Sequence, residues 1–323
     1  MPSPRLDNIS PVELEAVDIT PYKAGNTGID YVTTFDSGKP GPHVAVTAVV
    51  HGNELCGAIA VDWLFRQEVR PVAGKLSLAF ANVEAYLAFD PDDPTTSRFL
   101  DEDFNRVWSP KKLDGDGRTL ELERARAIRP FIDKVDLLFD IHSMQKQSAP
   151  LILSGPLERG RQLAQAVGVP ELVVSDAGHA EGVRMRDYGG FADPASTKNA
   201  LLIECGQHWE KPAGDLAIAS AVRFLRATGA VAPDFGEGHT GPDAKQIFAE
   251  VSGPVTIHSE AGFTFAKEWT SGEVVEKAGT LIGHDGDAPV TTPYDNCMLV
   301  MPTMKPWKGQ TAVRLARVIP APA

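Results

Sequence analysis

The tetrapeptide His51-Gly52-Asn53-Glu54 constrains this chain more than any other stretch. The apolar run before it, residues 44–50, reads as a buried strand, and the run after it, from Leu55 to Phe65, reads as a helix. An imidazole and a carboxylate three residues apart, at a strand-to-helix turn, can converge on one cation. A second histidine, His142, closes another apolar run at 135–141. Two histidines and one carboxylate form the ligand set of zinc sites that keep one position open for water, and therefore for hydrolysis. Alone, His-x-x-Glu is a common accident of turns and short helices. The flanking strand and helix, and the second histidine at a strand end, give it weight.

Residues 13–19, 29–36, 44–50, 76–82, 136–141, 150–154 and 200–205 are predicted strands. Segments 54–68, 117–133, 157–168 and 213–228 are predicted helices. This alternation implies an α/β domain with a mixed or mostly parallel sheet flanked by helices. Ligand sites in such sheets form at the carboxyl ends of strands, where His51, His142 and Glu204 all fall. After about residue 230 Gly, Pro and Asp cluster, helical periodicity vanishes, and short β-type runs follow at 254–258, 262–267, 289–292, 296–301 and 311–318. The expected division is an α/β catalytic domain over 1–235 and a small all-β domain over 236–323.

Other residues suit a hydrolytic site. Arg98 can donate to a developing oxyanion, and Arg106 with the amide of Asn105 can grip a carboxylate. The competing account is a solvated loop, since Asp101, Glu102 and Asp103 offer surface ion pairs. Glu204 ends the apolar run 200–203 and is either a general base and acid or a structural carboxylate. Asp140 shares a strand face with His142. It either fixes the tautomer of that histidine or belongs to a buried ion pair. His43 is expected to be exposed, His179 could face substrate, and His208 could support the site. His239, His258 and His284 belong to the β segment. Cys56, Cys205 and Cys297 have no CxxC spacing and read as small packing residues rather than disulfide partners or thiolate ligands.

A formal net charge of -12 disfavours a nucleic-acid partner, although a few local arginines can still hold an anionic small molecule. No apolar run is long enough to cross a bilayer, and the first residues lack a basic start followed by an apolar core. The expectation is a cytoplasmic protein without a membrane partner. There is no HExxH, no Gly-x-Ser-x-Gly, no GxxxxGK[ST] and no GxGxxG after a strand. That sets aside serine hydrolases of the nucleophile-elbow type, P-loop enzymes and dinucleotide oxidoreductases.

Taken in order, His51-Gly52-Asn53-Glu54, Arg98, Asn105-Arg106, Asp140-Ile141-His142 and Glu204-x-Gly206 resemble the succinylglutamate desuccinylase/aspartoacylase family, relatives of the zinc carboxypeptidases. The resemblance covers residues from about 44 to 206. It implies a carboxypeptidase-like α/β fold holding one zinc on His51, Glu54 and His142. Arg98 would polarise the scissile carbonyl, Asn105 and Arg106 would hold a substrate carboxylate, and Glu204 would be the general base and acid. The implied reaction is hydrolysis of the amide of an N-acyl amino acid, with a homo-oligomer possible. Alternatives are a zinc carboxypeptidase acting on peptides and a non-catalytic binding protein on the same scaffold. Aspartoacylases carry a further substrate-binding arginine about ten residues before the catalytic glutamate. Here Pro194 stands in that place, with Arg184, Arg186 and Lys198 nearby. The segment Ser143-Met144-Gln145-Lys146 also departs from the named enzymes, so no particular acyl group is implied.

Overall fold

Strand β2 (His43–Ala48) is buried along almost its whole length, as a strand covered on both faces must be. Its side chains alternate between two apolar layers, and that alternation organises the molecule. The structure is a computed structural model describing residues 10–179, 181–303 and 306–323.

Before and after β2 come β1 (Val32–Asp36), α1 (Leu55–Arg66), β3 (Lys75–Phe80), α2 (Val83–Leu87), α3 (Pro110–Leu113) and α4 (Leu120–Ile132). Next are β4 (Leu137–Met144), β5 (Leu151–Leu153), α5 (Glu158–Val167), β6 (Leu172–Ser175), β7 (Asn199–Gln207) and α6 (Lys211–Ala227). The remainder is strand: β8 (Ile247–Thr256), β9 (Phe263–Phe265), β10 (Val274–Val275), β11 (Leu281–Asp285), β12 (Ala288–Thr291), β13 (Cys297–Val300) and β14 (Thr311–Ile319).

Among the described residues, eleven strands form one mixed sheet in the order β1-β3-β2-β4-β7-β5-β6-β8-β14-β13-β10. Its centre, β3-β2-β4-β7, is parallel, so four neighbouring carboxyl ends open on the same rim. On one face Val44, Val46, Phe139, Ile141, Leu201 and Ile203 pack against α1 and α6, with Phe139 and Phe224 stacked. On the other, Ala45, Leu138 and Ala200 meet Leu122, Ala125, Ile128 and Phe131 of α4. That amphipathic spacing explains why 120–132 is helical despite Pro130 near its end.

The C-terminal strands do not stand apart from this sheet. β8 pairs in parallel with β6, and β14, β13 and β10 extend the ladder antiparallel. A second, three-stranded antiparallel sheet, β12-β11-β9, packs beside them through Phe263, Ile282 and Val290. The fold is therefore the expected α/β arrangement with a smaller C-terminal antiparallel sheet. No helix among the described residues is long and apolar enough to cross a membrane.

Two local expectations are corrected. Residues 13–19 form no strand. Val12, Leu14 and Val17 pack on the first core layer, and the amides of Glu13 and Leu14 both donate to the carbonyl of Trp209 rather than to a ladder. His43 is half-buried rather than exposed, with Nε2 2.7 Å from Ser77 Oγ. Gly283 lies within β11. A Cβ there would meet Thr264 O at 2.5 Å, so that glycine serves close strand packing.

Candidate active site

The turn after β2 is shaped by its backbone. Val49 takes φ 55°, a conformation a β-branched residue rarely adopts. Such a residue costs on the order of 1–3 kcal/mol and persists only where its surroundings over-determine it. Gly52 follows, and a Cβ at that position would lie 2.2 Å from Ala85 C and 2.5 Å from Ser97 O. Only glycine fits. Asn53 donates to Pro94 O and accepts from Trp209 Nε1 through its own carbonyl, which fastens the turn on two sides. Glu54 is then the N-cap residue of α1, where the positive end of the helix dipole favours a carboxylate.

This turn brings His51 and Glu54 to His142, the antepenultimate residue of β4. The rings of His51 and His142 are 5.3 Å apart. One ligand atom from each of the three residues lies within 4.8 Å of the others. His51 Nδ1 sits 2.7 Å from Glu54 Oε1 and His142 Nδ1 2.9 Å from Glu54 Oε2. The second approach lacks hydrogen-bond alignment, which leaves Oε2 a buried acceptor without a donor. All three residues are almost wholly buried. Burial alone would raise the Glu54 carboxyl, yet the two imidazoles hold it well below the ordinary range. Burial likewise opposes charge on His142, but Asp140 and Glu54 hold its pKa well above that of a free imidazole.

The outward nitrogens matter as much. His142 Nε2 is 2.9 Å from Asp140 Oδ2, and Asp140 Oδ1 accepts from Thr47 Oγ1 at 2.7 Å. His51 Nε2 is 3.1 Å from Asp103 Oδ1. Both rings thus present Nδ1 inward with a carboxylate behind the opposite nitrogen, the arrangement that orients histidine ligands and strengthens their donation. Asp103 also accepts from the Asn105 amide, which ties it to the turn carrying Asn105 and Arg106. In the sequence, a surface ion pair is the competing account for Asp103. Its role behind His51 spans 52 positions of chain and has no local signal. An orphaned buried oxygen and two inward nitrogens, each backed by an acid, fit a divalent cation. Two nitrogens and one carboxylate oxygen suit zinc.

Glu204 stands beside this cluster. In the ladder of β4 and β7 it is the register partner of His142. Its carboxyl is buried, Oε2 has no hydrogen-bond partner, and its pKa is pushed up to about 8, chiefly by burial and further by Glu54, with His142 and Arg98 opposing. Two residues on, Gly206 takes φ 113°, and a Cβ there would press on Glu210 Oε1 at 2.5 Å. That accounts for the glycine of Glu-x-Gly. Arg98 lies 3.7 Å from Glu54 Oε1 and 3.3 Å from Asp103 Oδ2, with Nη2 also 2.9 Å from His51 Nε2.

These groups line a cavity of about 250 Å³, with Asn105, Arg106, His179 and Arg184 further along it and Met301, Thr311 and Arg314 closing it from the C-terminal strands. Asn105 Oδ1 accepts from the Met185 amide, leaving its amide nitrogen toward the cavity. Of the three basic residues near Pro194, only Arg184 reaches the cavity, and Asp176 and Asp187 occupy its guanidinium. Arg186 is buried on the carbonyls of Ser154 and Ala200. Lys198 donates to Asp133 O. His208 is buried outside the cavity, with Nδ1 2.8 Å from Ser143 Oγ. The three cysteines are free and buried.

The model of the succinylglutamate desuccinylase/aspartoacylase catalytic domain matches residues 40–228. The chain belongs to that family. The matched span holds every residue of the His51, Glu54, His142 and Glu204 cluster. Among curated proteins, a probable aspartoacylase of Parasynechococcus marenigrum is 36% identical over 87 residues, 26% of this chain and 26% of that relative. The match thus spans about a quarter of the relative's length. Family members of known structure share the fold at low identity. The succinylglutamate desuccinylase of Vibrio cholerae aligns with a TM-score of 0.68 at 16% identity, covering 90% of this chain and 86% of that one. An ectoine utilization protein of Ruegeria pomeroyi, solved with product bound, aligns at 0.60 and 16% identity over 90% and 88%.

Proposed function

We propose that this family member is a zinc-dependent hydrolase that cleaves the amide bond of an N-acyl amino acid. The observation that carries the reading is one cavity holding a two-histidine, one-glutamate donor set and a buried glutamate beside it, with Arg98 and Arg106 among the arginines that line it. Its modest volume suits a small acyl amino acid.

His51 Nδ1, Glu54 and His142 Nδ1 would hold the metal. When bound there, such an ion supplies Lewis acidity and makes water acidic near neutral pH. Glu204 takes the proton from the attacking water and returns it to the departing nitrogen. A carboxyl whose pKa lies near neutrality can do both, since it neither holds nor releases a proton too firmly. Arg98 donates to the carbonyl oxygen as charge builds on it, and losing one such donor typically costs on the order of 10²–10³ in turnover. Asn105 and Arg106 hold the substrate carboxylate and so orient the amide.

The test is a hydrolysis screen of the zinc-loaded protein against N-acyl amino acids varied in both halves, beside a panel of peptides with free C-termini. Release of amino acid from the acylated panel, absent from a metal-stripped sample and restored by zinc, is the expected result. Cleavage confined to the peptides would replace the deacylase reading with an exopeptidase, and no cleavage of either panel would remove the enzymatic reading.

A further inference from the structure

Residues 100–102 belong to a partly exposed loop between Arg98 and the Asn105-Arg106 turn, and no strand or helix claims their amides. One side chain does. Glu121, in the first turn of α4, is wholly buried and lies outside the cavity. Its Oε1 accepts from the Leu100 amide at 2.7 Å and from Asn82 Nδ2 at 3.4 Å. Its Oε2 accepts from the amides of Asp101 at 3.1 Å and Glu102 at 3.2 Å. Three consecutive amides thus converge on one carboxylate, a concave anion seat made of backbone. A buried carboxylate whose donors are all neutral is costly unless its lone pairs are used, and here each oxygen accepts twice.

What the loop carries gives that seat its meaning. On its N-terminal side is Arg98, whose carbonyl accepts from the Gly52 amide at 3.1 Å, so the arginine segment and the metal turn share a backbone hydrogen bond. On its C-terminal side is Asp103, with Oδ1 3.1 Å from His51 Nε2 and also accepting from the Asn105 amide. Asn82 closes the circuit, since its own amide donates at 2.9 Å to the carbonyl of Val49, the positive-φ residue that leads to His51. Two bonds run the other way, from the Leu120 amide to Asp101 Oδ2 and from Thr119 Oγ1 to Glu102 Oε1. Both of those acceptors are open to solvent, where water replaces them readily. The buried carboxylate is therefore the firm end of the clasp.

We propose that Glu121 is a positioning residue for the active site: its carboxylate sets the 100–102 loop, and through it Asp103 behind His51 and the arginines on either side, against the metal turn. The part that concerns Arg98, Asn105 and Arg106 rests on the deacylase reading, whereas the part that concerns Asp103 and His51 does not. Glu121→Gln keeps the shape but turns an amide donor toward one pair of donors, either Leu100 N with Asn82 Nδ2 or Asp101 N with Glu102 N. That pair loses its acceptor, and the loop shifts. Misplacing groups that orient a substrate by about 1 Å costs on the order of 10²-fold in rate.

The experiment compares wild type, Glu121→Gln, Asp103→Asn and the double variant where circular dichroism shows all four folded. Zinc affinity, read by competition with a chelating dye, should fall about 3- to 10-fold in Glu121→Gln. The double variant should bind zinc within about twofold of Asp103→Asn alone, because both changes act on one contact. Losses that multiply, or an unchanged affinity in Glu121→Gln, overturn the inference, since a residue that only stabilised α4 would leave the affinity of folded protein alone. Hydrogen exchange of peptides spanning 99–106 should quicken at least about tenfold in Glu121→Gln while peptides of β4 keep the wild-type rate. Equal rates over 99–106 refute the clasp. On an N-acyl amino acid that wild type cleaves, kcat should fall and KM rise together, lowering kcat/KM about 10- to 100-fold, and unchanged constants overturn the inference as well. Glu121→Asp draws the carboxylate back by one methylene. It should give the same pattern at smaller amplitude, and it replaces Glu121→Gln should that variant not fold. If wild type hydrolyses no acylated amino acid, the deacylase reading fails while zinc coupling and exchange still decide the role of Glu121.

Discussion

His142 and Glu204 are register partners on the adjacent parallel strands β4 and β7, although 61 residues of chain separate them. The pairing sets a candidate metal ligand beside a candidate proton carrier without a loop between them. Positions on paired strands are held more firmly than positions on loops. Glu204→Gln keeps the shape and removes the proton acceptor. Turnover should fall about 10²- to 10⁴-fold, while zinc content by elemental analysis stays at the wild-type level. An undiminished rate would strip Glu204 of its assigned part.

His142→Ala should abolish metal retention, because neither His51 nor Glu54 can supply the missing nitrogen. Asp140→Asn and Asp103→Asn each leave the ligands in place but weaken the acceptor behind a ring. Each should lower zinc affinity by about 10- to 100-fold, measured by competition with a chelating dye. Full zinc occupancy in His142→Ala contradicts the donor set, and unchanged affinity in Asp103→Asn contradicts the pairing with His51.

Gly52→Ala tests how tightly the metal turn is built. A methyl group 2.2 Å from the Ala85 carbonyl carbon forces backbone to move. The expected loss in urea unfolding is about 1–3 kcal/mol or more. Because His51 and Glu54 flank the glycine, zinc should be lost at the same time. A variant with wild-type stability and zinc content would show the turn to be looser than described.

The Asp176–Arg184 pair makes stability pH-dependent. Burial opposes the Asp176 charge, but Arg184 outweighs it and holds the carboxyl below its ordinary value. A depressed carboxylate stabilises fully above its unfolded pKa of about 3.9 and loses that contribution as pH falls through the lower folded value. Asp176→Asn should cost about 3–5 kcal/mol at pH 7, since it leaves Arg184 buried with less compensation. The gap between variant and wild type should narrow below pH 4 in denaturant titrations, and a gap independent of pH would contradict the assignment.

Much of this site was legible in the sequence because its chemistry lies next to strong local signals. His51, Glu54, His142 and Glu204 each adjoin an apolar run that can only be a strand or a helix, and strand ends in an α/β sheet share one rim. Asp140 was legible through strand alternation. Asp103 was not, because what matters about it is a partner 52 positions away. Strand β6, four residues between Pro170 and Gly178, is too short to carry a period. The apolar residues at 12–17 pack against a core layer, and their pattern alone does not distinguish that from a ladder.

The unbroken run from β7 through β5 and β6 to β8 and β14 carries a consequence for how such proteins can diversify. A shortened chain ending near residue 235 would bare the edge of β6, a row of unpaired amides and carbonyls flanked by Leu172, Val173 and Val174 that invites association with other molecules. Swapping the C-terminal strands between relatives would replace one wall of the cavity and a ladder neighbour in the same event. The cavity wall and the protection of the β6 edge are therefore inherited together, and a donor segment can reshape that wall only if its first strand zips onto β6 in the same alignment.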